Sequence, residues 1–127
     1  HAGHRLAEGA PARLAQLYEQ TGDSTLAAGA YLEVAETDAD PERRRLARYR
    51  AAELELEVGN TAGATRQFAR YVELHPRPFD LHLEALHHLD QLAQQAGAGD
   101  ERRQWLNAKI ALERAIRAEG AADGTAD

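Results

Sequence analysis

No cysteine occurs in this sequence. That excludes disulfides, thiolate nucleophiles and cysteine-ligated zinc. It does not separate an oxidising compartment from a reducing one. Methionine is absent as well, so the chain reads as a domain belonging to something longer. Serine occurs once, at Ser24, and lysine once, at Lys109. Strand formers are scarce: valine stands only at Val34, Val58 and Val72, and isoleucine only at Ile110 and Ile116. No apolar run approaches the roughly 20 residues a membrane-spanning helix needs, so direct membrane insertion is not expected. "HAGHRLAEGA" at the start shows no secretory signal.

What is present favours one folded domain. The chain has 127 residues, 43% hydrophobic and 28% charged, within the ordinary range for a globular fold. A chain of this length buries roughly two-thirds of its unfolded surface. The net charge of -6 argues against a phosphate-tracking surface, which needs a basic face, so no nucleic-acid partner is expected. Arginine supplies nearly all the positive charge and alanine is abundant. This coding bias, which is not a physical argument, points to a GC-rich bacterial source.

Leucine, alanine, glutamate, glutamine and arginine dominate, and these are helix formers. Breakers fall at intervals: "TGDS" at 21–24, "DADP" at 38–41, "VGNT" at 58–61, "HPRP" at 75–78 and "AGAGD" at 96–100. Six helices are expected between them, at about 11–20, 24–37, 41–58, 61–74, 79–96 and 101–118. Asp40 before Pro41 and Glu42 combines an N-cap acceptor, proline at the first helical position and a carboxylate near the positive helix end. Asp100 is placed to cap the sixth helix in the same way. Residues 119–127, "EGAADGTAD", read as a flexible tail.

The helices carry a period. Gly22 and Gly59 lie 37 positions apart, and Gly59 and Gly97 lie 38 apart. Five residues after the first two glycines come Ala27 and Ala64; nine after come Tyr31 and Phe68. Glycine permits the reversal, the small residue lets the second helix approach closely, and the aromatic fills the space one turn on. Pro76 or an equivalent breaker ends the unit. This pattern resembles the tetratricopeptide repeat family, whose unit is about 34 residues. Gly59, Ala64, Phe68 and Pro76 match in register, as do Leu14, Ala15, Tyr18, Gly22, Ala27 and Tyr31, with "DADP" ending two residues late. The resemblance covers about residues 8 to 97. It implies an all-α fold, a right-handed α-solenoid of about three helix-turn-helix repeats at about 8–40, 41–77 and 78–118.

The departures are specific. Arg48 and Glu55 stand where that family places large apolar groups, so the third helix is either rotated or packed on both sides. Arg102 stands where the third small residue belongs. Trp105, Leu106, Ile110, Leu112 and Ile116 form a stripe of their own on the last helix. More narrowly, "RYVELHPRPFDLHLEA" and "ERRQWL" are similar to bacterial cell-envelope members of the family, including ones of energy-coupled envelope systems and gliding motility. That likeness leans the expected location to the periplasm or cell envelope over the cytoplasm.

Catalytic signals are weak. Ser24 sits in "GDST" at a helix start, a capping context without a strand-turn-helix elbow. "DLHLEALHHLD" holds His82, Glu84, His87, His88 and Asp90. Glu84 and His87 resemble half of a di-iron carboxylate site, but no second Glu-x-x-His follows, and the bland reading is a solvent-facing polar side. "GAG" at 97–99 follows a helix and lacks the third glycine of a phosphate loop. No metal and no cofactor is therefore expected, and no enzyme activity. "ERRRLARYR" at 42–50 either grips an acidic segment or is a solvated face balanced by glutamates.

Helix-pair repeats bury their faces by stacking, and the rotation per repeat makes a concave surface. The family register implies that Gln16, Glu19, Tyr49, Glu53, Leu56, His87, Gln91 and Gln94 line it. That wall suits an extended peptide with amide and basic groups. The family's chaperone-tail clamp uses lysine, asparagine and arginine, where this chain has Ala12, Gln16, Arg50, Glu84 and His88, so an acidic-tail clamp is not implied. The expectation is a non-enzymatic protein-interaction scaffold that binds a peptide or helix. The alternative is structural self-association through the last helix around Trp105 and Leu112; the chain is expected to be a monomer or a weak homodimer.

Overall fold

The computed structural model describes the backbone of residues 2–122 and the side chains of residues 9–121. Among the described residues the chain is all-helical, with six helices and no strand: α1 (Ala2–Gln20), α2 (Ser24–Thr37), α3 (Pro41–Glu57), α4 (Thr61–Leu74), α5 (Phe79–Gln95) and α6 (Gly99–Ala122). Two compact units divide between Tyr71 and Val72, inside α4.

The helix boundaries follow local chemistry. Asp40 caps α3 by accepting from the Glu42 amide at 3.2 Å, with Pro41 at the first helical position. Asp23, rather than Ser24, is the N-cap of α2 and accepts from the Leu26 amide at 3.5 Å. Asn60 accepts from the Gly63 amide at 3.1 Å at the start of α4. Pro76 and Pro78 follow the end of α4 at Leu74.

Three turns share one geometry. Gly22, Gly59 and Gly97 have φ of 80°, 83° and 70°, the left-handed region glycine reaches without a Cβ clash. After α1 the Asp23 amide donates to the Tyr18 carbonyl at 2.8 Å and Gly22 to Glu19 at 3.1 Å. After α3, Asn60 donates to Glu55 at 2.8 Å and Gly59 to Leu56 at 3.1 Å. After α5, Ala98 donates to Ala93 at 2.9 Å and Gly97 to Gln94 at 3.1 Å. Each is a Schellman closure, which satisfies the last carbonyls of its helix.

In the first unit α2 packs against both α1 and α3. The contact surfaces are alanine-rich: Ala12, Val34, Ala35 and Ala47 form one cluster with Tyr31, and Ala27, Ala28 and Leu54 another with Tyr18 and Tyr31. Small side chains let helix axes approach toward the short end of the ~8–10 Å range. Tyr49, Phe68 and Tyr71 are buried together, Tyr49 edge-on to Phe68 at 5.5 Å and to Tyr71 at 5.1 Å between ring centroids. α3 is thus buried on more than one side, with Arg45 and Arg48 inside alongside Ala47, Tyr49, Ala51, Ala52 and Leu54. Glu55 is accommodated because its carboxylate lies over Gly63, where a Cβ would collide with it.

In the second unit α5 packs on α6. Ala85, Leu86, Leu89, Leu92, Ala93 and Leu112 are buried. Arg102, placed where the earlier pairs carry alanine, donates to the buried Asp90 carboxylate at 3.1 Å, and Lys109 pairs with the same group at 3.6 Å. An ionic tie on α5 therefore takes the place of the small-residue contact.

Three boundary expectations need correction. Helical backbone also precedes Gly9, whose φ of 69° and ψ of 172° break α1 two residues before Pro11. α6 begins at Gly99, so Asp100 lies within the first turn, paired with Arg103 at 3.1 Å, and is not a cap. The helix also continues through Glu119 and Gly120 to Ala122, and Glu119 accepts from Arg77 at 2.8 Å, so the start of the expected tail is ordered. Residues 123–127 lie outside the described residues.

Candidate interaction site

The run "ERRRLARYR" is the first feature the structure decides. Arg43 binds both Asp38 oxygens at 3.1 Å and pairs with Asp40 at 3.4 Å. Arg44 donates to the Asp38 carbonyl at 2.6 Å. Arg45 donates to Glu42 and, at 2.7 Å, to the Tyr71 hydroxyl. Arg48 reaches Glu36 at 2.7 Å and Gln67 at 3.0 Å. Arg50 pairs with Glu19 and with Glu53, the latter at 3.3 Å. The run fastens α3 to α1, α2 and α4; it is neither an open basic patch nor a solvated face. The guanidinium of Arg48 holds the Glu36 carboxyl below its usual range, and that of Arg43 does the same for Asp38.

An open cavity of about 260 Å³ lies in the first unit, lined by Ala12, Gln16, Tyr31, Val34, Arg43, Leu46, Ala47 and Arg50. Ala12, Val34 and Ala47 are buried and make its floor. Leu46 is 46% exposed, an apolar side chain left uncovered at its edge. Tyr31 donates its hydroxyl to Glu19 at 2.6 Å. Burial first, then that bond, push the Tyr31 hydroxyl up to about 12. The hydrogen bonds from Arg50 and then Tyr31 hold the Glu19 carboxyl low. Tyr31, Glu19, Arg50 and Glu53 thus form one continuous polar chain across α1, α2 and α3.

No family model, no curated protein and no solved structure matches this chain. The site therefore rests on its own geometry.

The structure divides the residues expected on the binding wall. Gln16 is exposed on the cavity; Glu19 and Glu53 are half-buried and do not line it, but both accept from its Arg50. Leu56 is half-buried. Tyr49 is a correction: it is 5% exposed, within the aromatic core of the first unit. α3 buries both its Ala47–Ala51–Leu54 side and its Arg45–Arg48–Ala52 side. The helix is consequently turned so that Arg43, Leu46, Ala47 and Arg50 face the cavity. The sequence reading missed Tyr31, Arg43 and Leu46 as wall residues. The Asp40–Arg43 and Arg50–Glu53 pairs at i, i+3 were the local signals for this face. His87, Gln91 and Gln94 are exposed on α5 in the second unit.

On α6, Leu112 is a second correction: it is 7% exposed and cannot offer a self-association surface. Trp105 is half-buried, and its indole Nε1 is buried without a hydrogen-bond partner. Leu106, Ile110 and Ile116 are the exposed large apolar residues among the described residues of that helix. In the histidine-rich stretch Asp90 is buried, not solvent-facing, and His82 Nδ1 lies 2.8 Å from the His75 carbonyl. Among the described residues no three histidine, aspartate or glutamate side chains gather as metal ligands. The Ser24 hydroxyl donates to Glu57 at 3.2 Å, linking the start of α2 to the end of α3.

Proposed function

We propose that this chain is a non-enzymatic protein-interaction module of the tetratricopeptide-repeat type, its three helix pairs the repeats of a solenoid. The three identical Schellman turns at Gly22, Gly59 and Gly97 support the repeat reading. The observation that carries the function is the cavity. It has an apolar floor, an uncovered leucine at its edge and polar groups at its rim, the composition of a site that takes an anchor side chain.

A second reading is self-association through α6. It is supported by Leu106, Ile110 and Ile116, exposed by 39%, 47% and 39%. Peptide display against the protein separates the two readings, with selected binders mapped by backbone amide shifts and molar mass followed by light scattering over a concentration series. The interaction module requires binders that shift amides of α1 and α3 and a constant monomer mass. A dimer that dissociates on Ile110→Glu, with no binder selected, would replace it with the self-association reading.

A further inference from the structure

Resting on the interaction-module reading for its consequence, we infer that α1 is a movable wall of the cavity: it undocks from α2 and α3 as a unit, latched by the Glu19 carboxylate, and the site is complete only while α1 is docked.

Packing sets α1 apart from the other helices of the first unit. Among the described residues its buried side chains are Ala12 and Ala15, nothing larger. α2 buries Val34, α3 buries Tyr49 and Leu54, and α4 buries Phe68 and Tyr71. The leucines of α1 stay outside, Leu14 being 43% and Leu17 52% exposed. Tyr18 packs against Ala27, Ala28 and Leu54 but is only half-buried. Hydrophobic stabilisation scales with the apolar area removed from water. The described part of α1 is therefore the most weakly seated by apolar burial, the kind of element that opens below the global unfolding free energy.

One carboxylate supplies the polar tie. Among the described side chains of α1, Glu19 alone is hydrogen-bonded to another helix. One of its oxygens accepts from the Tyr31 hydroxyl of α2 at 2.6 Å, and the other from Arg50 Nε of α3 at 3.0 Å. Glu53 holds the same guanidinium from within α3 at 3.3 Å. The latch therefore bridges both helices that α1 leaves on undocking.

Undocking has a defined result. Ala12 and Gln16 leave the lining, and Tyr31 with the buried Val34, Ala35 and Ala47 is uncovered. A ligand of the complete cavity binds the docked state alone. Its apparent affinity falls in proportion to the docked fraction, and once bound it holds α1 down.

Native-state hydrogen exchange on the free protein tests this. The amides of Ala15 to Glu19 should exchange through one shared opening with little dependence on denaturant, as an opening that exposes little surface does. Relative to intrinsic rates they should exchange at least about tenfold faster than those of Ala51 and Leu54 in α3. Two variants identify the opening. Glu19→Gln should speed α1 exchange about tenfold, the scale of a lost hydrogen-bonded charge pair. Phe68→Leu weakens α3–α4 packing that the docked and undocked states share, so it should speed exchange in α3 and α4 and leave α1 unchanged. A rise in α1 equal to that in α3 would show that α1 opens only with the whole unit, and would overturn the undocking. Rates that fall steadily from Ala12 to Glu19 would mean fraying from one end and would overturn it as well. An unchanged α1 rate in Glu19→Gln would overturn the latch. Each of these results leaves the interaction-module reading standing, whereas failed peptide display removes that reading without altering α1 exchange.

Discussion

The Arg45 guanidinium donates to the Tyr71 hydroxyl at 2.7 Å, and both side chains are buried, Arg45 at 8% and Tyr71 at 0% exposure. A buried charge persists only when its donors are satisfied. Arg45 meets that condition with Glu42 on its own helix and Tyr71 on α4. Tyr71→Phe keeps the ring beside Tyr49 and removes the oxygen. The expected loss is about 1–3 kcal/mol, the cost of leaving a buried donor without its acceptor. In urea denaturation, Arg45→Met combined with Tyr71→Phe should lose less than the two single changes summed.

Phe68 is fully buried and edge-on to Tyr49. Phe68→Ala removes that contact and leaves a cavity, and about 3–5 kcal/mol is expected from such truncations. Phe68→Leu should lose distinctly less. A loss below about 1 kcal/mol for the alanine variant, from chemical denaturation, would show that the α3–α4 aromatic cluster does not hold this unit together.

Acid should destabilise the first unit through its ion pairs. Arg50 lowers the Glu19 carboxyl and Arg43 lowers that of Asp38 relative to their ordinary values of 4.5 and 3.8. The unfolded chain therefore takes up these protons at higher pH than the folded one. The contribution is complete above those ordinary values and is lost as pH falls through the lowered ones. Melting temperature should fall on acidification from about pH 5 downward, and Glu19→Gln should flatten that fall. An unchanged slope in Glu19→Gln would mean the Glu19–Arg50 pair contributes nothing to it.

Two glycines should respond in opposite directions. Gly59 sits at a φ of 83° that an L side chain adopts only with strain, so Gly59→Ala should cost about 1–2 kcal/mol. Gly29 lies inside α2 with open space where a Cβ would project. Gly29→Ala should therefore stabilise by about 0.5–1 kcal/mol. Thermal melts of the two variants check both signs.

The helical content, the six segments and the glycine turns were legible in the sequence because each depends on local chemistry. A cap, a proline and a left-handed glycine act on their immediate neighbours, and the 37- and 38-residue spacings record the same turn made again. The candidate site was legible only in part. Gln16 lines the cavity, and Glu19 and Glu53 are bonded to its Arg50 without lining it, whereas Tyr49 and Leu112, expected at a surface, are buried. Which face of α3 meets solvent depends on the helices packed against it on both sides, and no periodicity within α3 encodes that. The fate of five arginines in nine residues was equally undetermined, since Glu19, Glu36, Gln67 and Tyr71 are brought to them only by the folded chain. Local rules determined where the helices are. Tertiary packing decided how α3 is turned, which charges are neutralised and where an open apolar cavity remains.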